Sequence, residues 1–403
     1  MILKNLGVIL AVITVLISYW LYEPLPDSVA EPWKLRTVIA GSKVLHAVCS
    51  GFEMTGYTSY LNCTRQFSNA YIRNIQSNDK ISVVDENFSG VKVRIYYPAG
   101  VSEKDKTKLL PGILYFHPGG WTFGRMGVSH SLLERLTQET GAAFIDVDYR
   151  LAPEHIFPVP FDDCLTATVH ILRNGRVYGI DSSRIAVSGD EAGGNLAAAV
   201  SLRLAVETAF PTLRAQILIS PPLQAFDFLT PSMLFHDKSV PFIMSRRMIT
   251  QNWLNYYQGR TKNIDEFLIN NHTAPLLKES EVSQFVSVRQ LPERYQKQHT
   301  LQTSTDFGDE NISYDFEPVL LNPYFCPLLA QDFKKIPQAY IISVEFDVLR
   351  DDSFLFVERL RQSGVKVYHD HFNEAFHGIL MCEHFEMRDK IIASLVSFIK
   401  GSI

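Results

Sequence analysis

The residues best placed to do chemistry lie in the run Arg184-Ile-Ala-Val-Ser-Gly189-Asp190-Glu191-Ala192-Gly193-Gly194-Asn195. A short apolar stretch leads into a glycine-flanked turn and then into small residues suited to a closely packed helix. A turn of this kind holds its central residue on strained backbone, with the side chain aimed outward and a helix N-terminus behind it. With serine at the centre it would be a nucleophile elbow, Gly-x-Ser-x-Gly, whereas the centre here is Glu191. A second run, Gly112-Ile-Leu-Tyr-Phe-His117-Pro118-Gly119-Gly120-Trp121, reads as a buried strand delivering a glycine pair to a loop. Glycines let backbone N–H groups turn toward a ligand with no side chain in the way, as an oxyanion site requires. By itself the same run also fits a tight turn.

Elements must exist to hold these two runs together. Short apolar runs at 91–97, 112–117, 143–148, 184–188, 215–220, 339–345 and 366–372 predict strands, with helices between them that include 193–207 and 354–363. The alternation predicts a mostly parallel sheet covered on both faces. The segment 220–337 breaks the rhythm and is too long for a loop inside a compact sheet, so it is expected to be a cap over the C-terminal strand ends. Residues 32–52 carry apolar positions at three and four, an amphipathic helix that serves equally as core or as membrane contact.

The chain has 403 residues, 46% hydrophobic and 20% charged, enough for one large domain with an insertion. A net charge of -5 and no basic run longer than a pair exclude nucleic acid as a partner. Residues 6–22 are uninterrupted apolar and aromatic, with Lys4 before them and Glu23, Asp27 and Glu31 after them. The bulky Tyr19-Trp20-Leu21-Tyr22 end reads as an uncleaved transmembrane anchor rather than a signal-cleavage site. Residues 1–5 would then be cytosolic and 23–403 luminal, in the endoplasmic reticulum membrane; secretion after cleavage is the alternative. Sequons at Asn62, Asn87, Asn271 and Asn311 agree with a luminal domain. The five cysteines show no metal spacing, permit a disulfide and leave at least one thiol unpaired. No cofactor or metal is called for, and protein partners are left open.

The pairing of His117-Pro-Gly-Gly-Trp121 with Gly189-Asp-Glu-Ala-Gly-Gly-Asn195, with Asp148-Tyr-Arg-Leu-Ala-Pro-Glu-His155 between them, resembles the hormone-sensitive-lipase family. Tyr22-Glu-Pro-Leu-Pro-Asp27 after the anchor and Phe346-Asp347-Val-Leu-Arg-Asp-Asp352 are similar to its arylacetamide deacetylase group. The resemblance implies an α/β-hydrolase fold with an N-terminal cap at about 30–80 and an inserted cap at about 222–335. It implies carboxylic ester or amide hydrolysis of lipid-like or drug-like substrates, so the expected ligand is a small apolar ester, amide or acyl group. In that scheme the residue at 191 attacks, Asp347 orients His377, and the amides of Gly119, Gly120 and Ala192 hold the oxyanion, with His117 and Asp190 as supporting motif residues. The chain order of nucleophile, acid and base is the one this fold demands.

Two departures stand out. Pro118 replaces a glycine of the family's His-Gly-Gly-Gly and removes one N–H. Glu191 removes the hydroxyl that His377 would deprotonate, since a glutamate side chain is ordinarily ionised at neutral pH and its weakly basic oxygen is a poor attacker of esters. The expectation is therefore a silenced site in which Glu191 occupies the oxyanion hole or pairs with His377. Water attack with Glu191 or His377 as general base, and a non-enzymatic ligand-binding or partner-binding role, are the alternatives.

Overall fold

Alternation along the central strands decides how the chain is layered. In the strand Leu110–Phe116, Ile113 and Tyr115 face one hydrophobic cluster while Leu114 and Phe116 face another, and every one of them is buried. The computed structural model describes residues 2–72, 76–101, 109–237, 243–297 and 308–403, apart from the side chains of residues 2–8 and 71.

The strands are β1 (Ile81–Phe88), β2 (Val91–Pro98), β3 (Leu110–Phe116), β4 (Ala143–Val147), β5 (Ile180–Asp190), β6 (Ala215–Ile219), β7 (Ala339–Phe346) and β8 (Val367–Phe376). They form one sheet in the order β1-β2-β4-β3-β5-β6-β7-β8. Pairing is antiparallel at β1–β2 and β2–β4 and parallel from there on, with Phe116 in register with Gly189 and Asp190 with Ile219. The helices are α1 (Ile2–Leu21), α2 (Pro32–Met54), α3 (Tyr60–Tyr71), α4 (His130–Thr140), α5 (Val159–Asn174) and α6 (Ala192–Ala205). The inserted segment folds as α7 (Pro231–His236), α8 (Arg246–Gln258), α9 (Ile264–Leu268), α10 (Pro275–Glu279), α11 (Glu293–Gln296) and α12 (Glu310–Leu320). Then come α13 (Arg350–Gln362) and α14 (Glu386–Ser402).

Helices α5, α6 and α13 cover one face of the sheet and α4 and α14 the other, the double cover that the sequence predicts. Strand β1 is an addition to the expected set. Its burial is confined mainly to Ile81 and Phe88 at its ends, so its half-exposed middle carries no strong apolar pattern.

The expected span at residues 6–22 falls on α1, which the structure does not establish as a crossing. Among the described residues no helix is long and apolar enough to cross a membrane. From Ile9 to Leu21, where side chains are described, α1 measures about 20 Å against roughly 30 Å of hydrocarbon. Its apolar side chains are nonetheless exposed, from Ile13 at 45% to Tyr19 at 82%.

Cys49 and Cys63 form a disulfide that ties α2 to α3, and Cys164, Cys326 and Cys382 are free. Among the sequons, Asn62, Asn87 and Asn311 are exposed. Asn271 is half-buried and donates to Glu266 at 2.7 Å, and its partner Thr273 is buried.

Candidate active site

The turn after β5 has the strain that its glycines imply. Glu191 sits at φ 52 and ψ -118, a costly backbone for a residue with a side chain. A Cβ on Gly189 would lie 2.1 Å from the Gly193 carbonyl carbon, and one on Gly193 would lie 1.9 Å from the Phe116 carbonyl oxygen. Both positions therefore require glycine, and together they press α6 onto the ends of β3 and β5. The backbone of Glu191 is anchored by its N–H to the Ile219 carbonyl at 2.9 Å, and its own carbonyl accepts from Gly194 at 2.8 Å.

The side chain of Glu191 turns back onto the glycine pair. Its Oε2 accepts from the Gly119 amide at 2.8 Å and from the Gly120 amide at 2.6 Å. These are two of the three donors expected to face an oxyanion; among the described residues the carboxylate does not draw on Ala192, which is buried at the first position of α6. Positive φ at Gly119 (127°) and Gly120 (59°) is what points both amides the same way. Pro118 leaves this arrangement intact, because the lost N–H is not one of the two in use. His117 stacks on Tyr149 with centroids 4.2 Å apart, the Tyr149 hydroxyl donates to the His117 carbonyl at 2.7 Å, and burial lowers the His117 pKa. Its contribution is to fix the loop.

Asp347 follows β7 and His377 follows β8, so adjacent parallel strands deliver them side by side. His377 Nδ1 lies 3.0 Å from Asp347 Oδ2, a close ion pair that is poorly aligned as a hydrogen bond. Asp347 is steadied by accepting from the Leu349 amide at 2.8 Å, and the His377 amide donates to the Phe346 carbonyl at 3.1 Å. Burial alone would lower the His377 pKa, but Asp347, and after it Glu191 and Asp190, overcome this and hold it up to about 9. These carboxylates thus favour the protonated form of the imidazole. Asp190 is buried, which raises its carboxyl to about 7, with Glu191 adding to the rise and His377 opposing it.

The inserted segment closes the site. On α8, Asn252 lies where a Cβ on Gly120 would fall, Trp253 packs on Trp121 at 4.6 Å, and Tyr256 stacks on Trp121 at 4.5 Å. Exposure is 2% for Glu191 and 6% for His377, so both positions are buried beneath these neighbours. A cavity of about 560 Å³ lies elsewhere, between the start of α4 and the start of α14, and touches neither Glu191, Asp347 nor His377. From the N-terminal segment, Arg65 on α3 donates to the carbonyls of Thr122 and Ala152 at 2.9 and 2.7 Å and pairs with Glu154.

Asn252 and Arg65 escaped the sequence reading because only tertiary packing brings them to the glycine loop. A third group that it missed had a visible signal. Arg350, inside the Phe346–Asp352 run, is fully buried and bonds Glu345 at 2.9 Å, while Glu345 also accepts from the Tyr295 hydroxyl at 2.7 Å and contacts His371 at 3.1 Å. An arginine between acidic residues in an apolar stretch marks such a buried network. Asp352 from the same run accepts from the Leu223 amide and pins the root of the inserted segment.

Strand order, strained turn and Asp–His pair together define an α/β-hydrolase. The family model described as alpha/beta hydrolase fold matches residues 113–288 and 274–381. Arylacetamide deacetylase of Bos taurus is 37% identical, covering 92% of this chain and 92% of that protein. Neutral cholesterol ester hydrolase 1 of Rattus norvegicus is 32% identical, covering 94% of each. The chain belongs to the hormone-sensitive-lipase family of α/β-hydrolases, in its arylacetamide deacetylase-like group. Among solved structures, a hyperthermophilic esterase from Pyrobaculum calidifontis superposes with a TM-score of 0.64 at 21% identity, over 94% of this chain and 99% of that one, a likeness of fold.

Proposed function

We propose that this protein is a carboxylic ester hydrolase by descent whose ester-cleaving step is silenced by Glu191, leaving a closed site built for a small apolar ester, amide or acyl ligand. One observation carries the reading: a carboxylate oxygen 2.8 and 2.6 Å from the Gly119 and Gly120 amides fills the place where a substrate oxyanion would need those donors. The ligand class follows the names of the relatives, which act on arylacetamides and cholesterol esters. General-base hydrolysis through His377 is disfavoured, because an imidazole with a pKa of about 9 is protonated at neutral pH and has no lone pair to offer.

The membrane reading belongs here as well. In the proposal α1 is embedded in a lipid bilayer with the hydrolase domain on the luminal side. Support comes from the exposed apolar side chains of α1 and from the Cys49–Cys63 disulfide, which suits an oxidising compartment.

The test is turnover of short-chain nitrophenyl esters by the full chain and by Glu191→Ser. An inert parent with an active variant is the expected result. A parent that turns over esters and resists serine-directed phosphonates would instead establish water attack.

A further inference from the structure

Helix α2 has two unlike sides. Leu35 and Ile39 are fully buried in the fold. On the opposite side Trp33, Thr37, Gly41, Val44, Val48 and Gly51 succeed one another at three and four, a stripe roughly 80° wide without a charged residue. Trp33 is 67% exposed, Val44 47%, Val48 37%, and Phe52 at the stripe's edge 39%. Helices on a water-facing surface put their charged residues on this side. Apolar exposure continues at the helix's last residue, Met54, and past it at Tyr57, and the disulfide to α3 brings exposed Phe67 into the same segment.

The C-terminal end of α1 is tied to α2. Lys43, 5% exposed and next to Ile39 on the buried side of α2, donates to the carbonyls of Trp20 and Tyr22 at 3.0 and 3.2 Å and pairs with Glu23 at 2.8 Å. Arg36 donates to the Glu23 carbonyl at 3.1 Å and lies over the Tyr22 ring. Two cations of α2 thus cap the C-terminal carbonyls of α1 and lock the two helices into one surface. From Ile9 onward α1 exposes apolar side chains around its whole circumference, which a flat protein partner cannot cover and lipid can.

We infer that the uncharged face of α2 is a lipid-docking surface, lying in the interfacial plane of the bilayer that holds α1, with Val44, Val48 and Phe52 on the acyl-chain side. This rests on the reading of α1 as a lipid-embedded helix. It adds an orientation: α3, whose Arg65 holds the glycine loop, is bolted to α2 by the disulfide, so the glycine loop is held by a segment that stands at the membrane surface.

The experiment uses the full chain carrying Cys382→Ser, reconstituted in phosphatidylcholine vesicles, with a nitroxide on Val48→Cys or Phe52→Cys and a reference label on Lys334→Cys, a position 86% exposed. Collision rates with oxygen and with a water-soluble nickel chelate are compared. Labels at 48 and 52 are expected to favour oxygen several-fold, and the label at 334 to favour nickel. Vesicle-bound protein in which 48 and 52 are as open to nickel as 334 overturns the docking face while leaving the α1 reading in place. Protein that does not float with the vesicles overturns both. Spin–spin broadening at 48 that persists on dilution into excess lipid overturns the lipid assignment in favour of a second copy of this chain.

Discussion

Glu191 and Glu345 are both carboxylates tucked against the C-terminal ends of the sheet, yet they are held in different ways. Burial would raise the pKa of Glu345, but hydrogen bonds from His371 and Tyr295 and the charge of Arg350 outweigh it and bring the pKa down to about 2. Its partner Arg350 is a permanent cation, fully buried, so the pair belongs to the fold. Glu191 has no such cation in contact; its Oε2 rests on two backbone amides, and its Oε1 is buried without a donor among the described residues. In a working hydrolase of this fold those amides would serve a charge that exists only during reaction. The contrast teaches that one carboxylate is held by a buried cation of the fold, whereas the other is held by backbone donors that the proposed function assigns to a reaction charge.

The largest expected effect comes from Glu191→Ser. Loss of a serine nucleophile from a comparable triad costs on the order of 10⁶ in kcat, so even partial recovery stands far above the parent in a nitrophenyl ester assay. Arg350→Met leaves fully buried Asp351 and half-buried Glu345 without their shared cation and is expected to cost about 3–5 kcal/mol in urea unfolding. Glu191→Gln keeps an oxygen for Gly119 and Gly120 and is expected to cost less than about 1.5 kcal/mol. Equal losses in these two variants would erase the contrast. Gly193→Ala falls between them at about 3 kcal/mol, because its Cβ would meet the Phe116 carbonyl oxygen at 1.9 Å.

The pH response sharpens the comparison from both sides. The folded pKa of His377 is raised to about 9, so its contribution to stability is complete below about 6.5 and disappears as pH rises through 9. For Glu345 the folded pKa is depressed to about 2, so its contribution is present above about 4.3 and disappears as pH falls toward 2. Thermal unfolding followed from pH 2 to pH 10 should show an alkaline loss that shrinks in His377→Gln, with the acid loss unchanged. An alkaline loss untouched by that substitution would mean the imidazole is not the group being titrated.

Chemistry-bearing segments were the legible part of this chain. The elbow could be read because Gly189 and Gly193 are demanded by backbone contact and Gly194 by the Pro221 side chain, and the strand before it because Ile185 to Ser188 are buried. Asp347 and His377 were placed by family resemblance, and strand order accounts for why they meet. What packing decides was not legible: nothing local to Asn252 announces that it will cover Gly120, and the short helices of the inserted segment, some of only four or five residues, leave no periodic trace. The anchor region shows the reverse limit, an unmistakable apolar run whose lipid setting the fold alone does not establish.

The central claim is that the carboxylate of Glu191 stands in for the substrate oxyanion and leaves His377 with no hydroxyl to activate. Intact-mass analysis after exposure to a fluorophosphonate ester measures this most directly. The account predicts no phosphonyl adduct on the parent chain and a single adduct, mapping to position 191, on Glu191→Ser. An adduct at the catalytic positions of the parent, formed together with ester turnover, would contradict it.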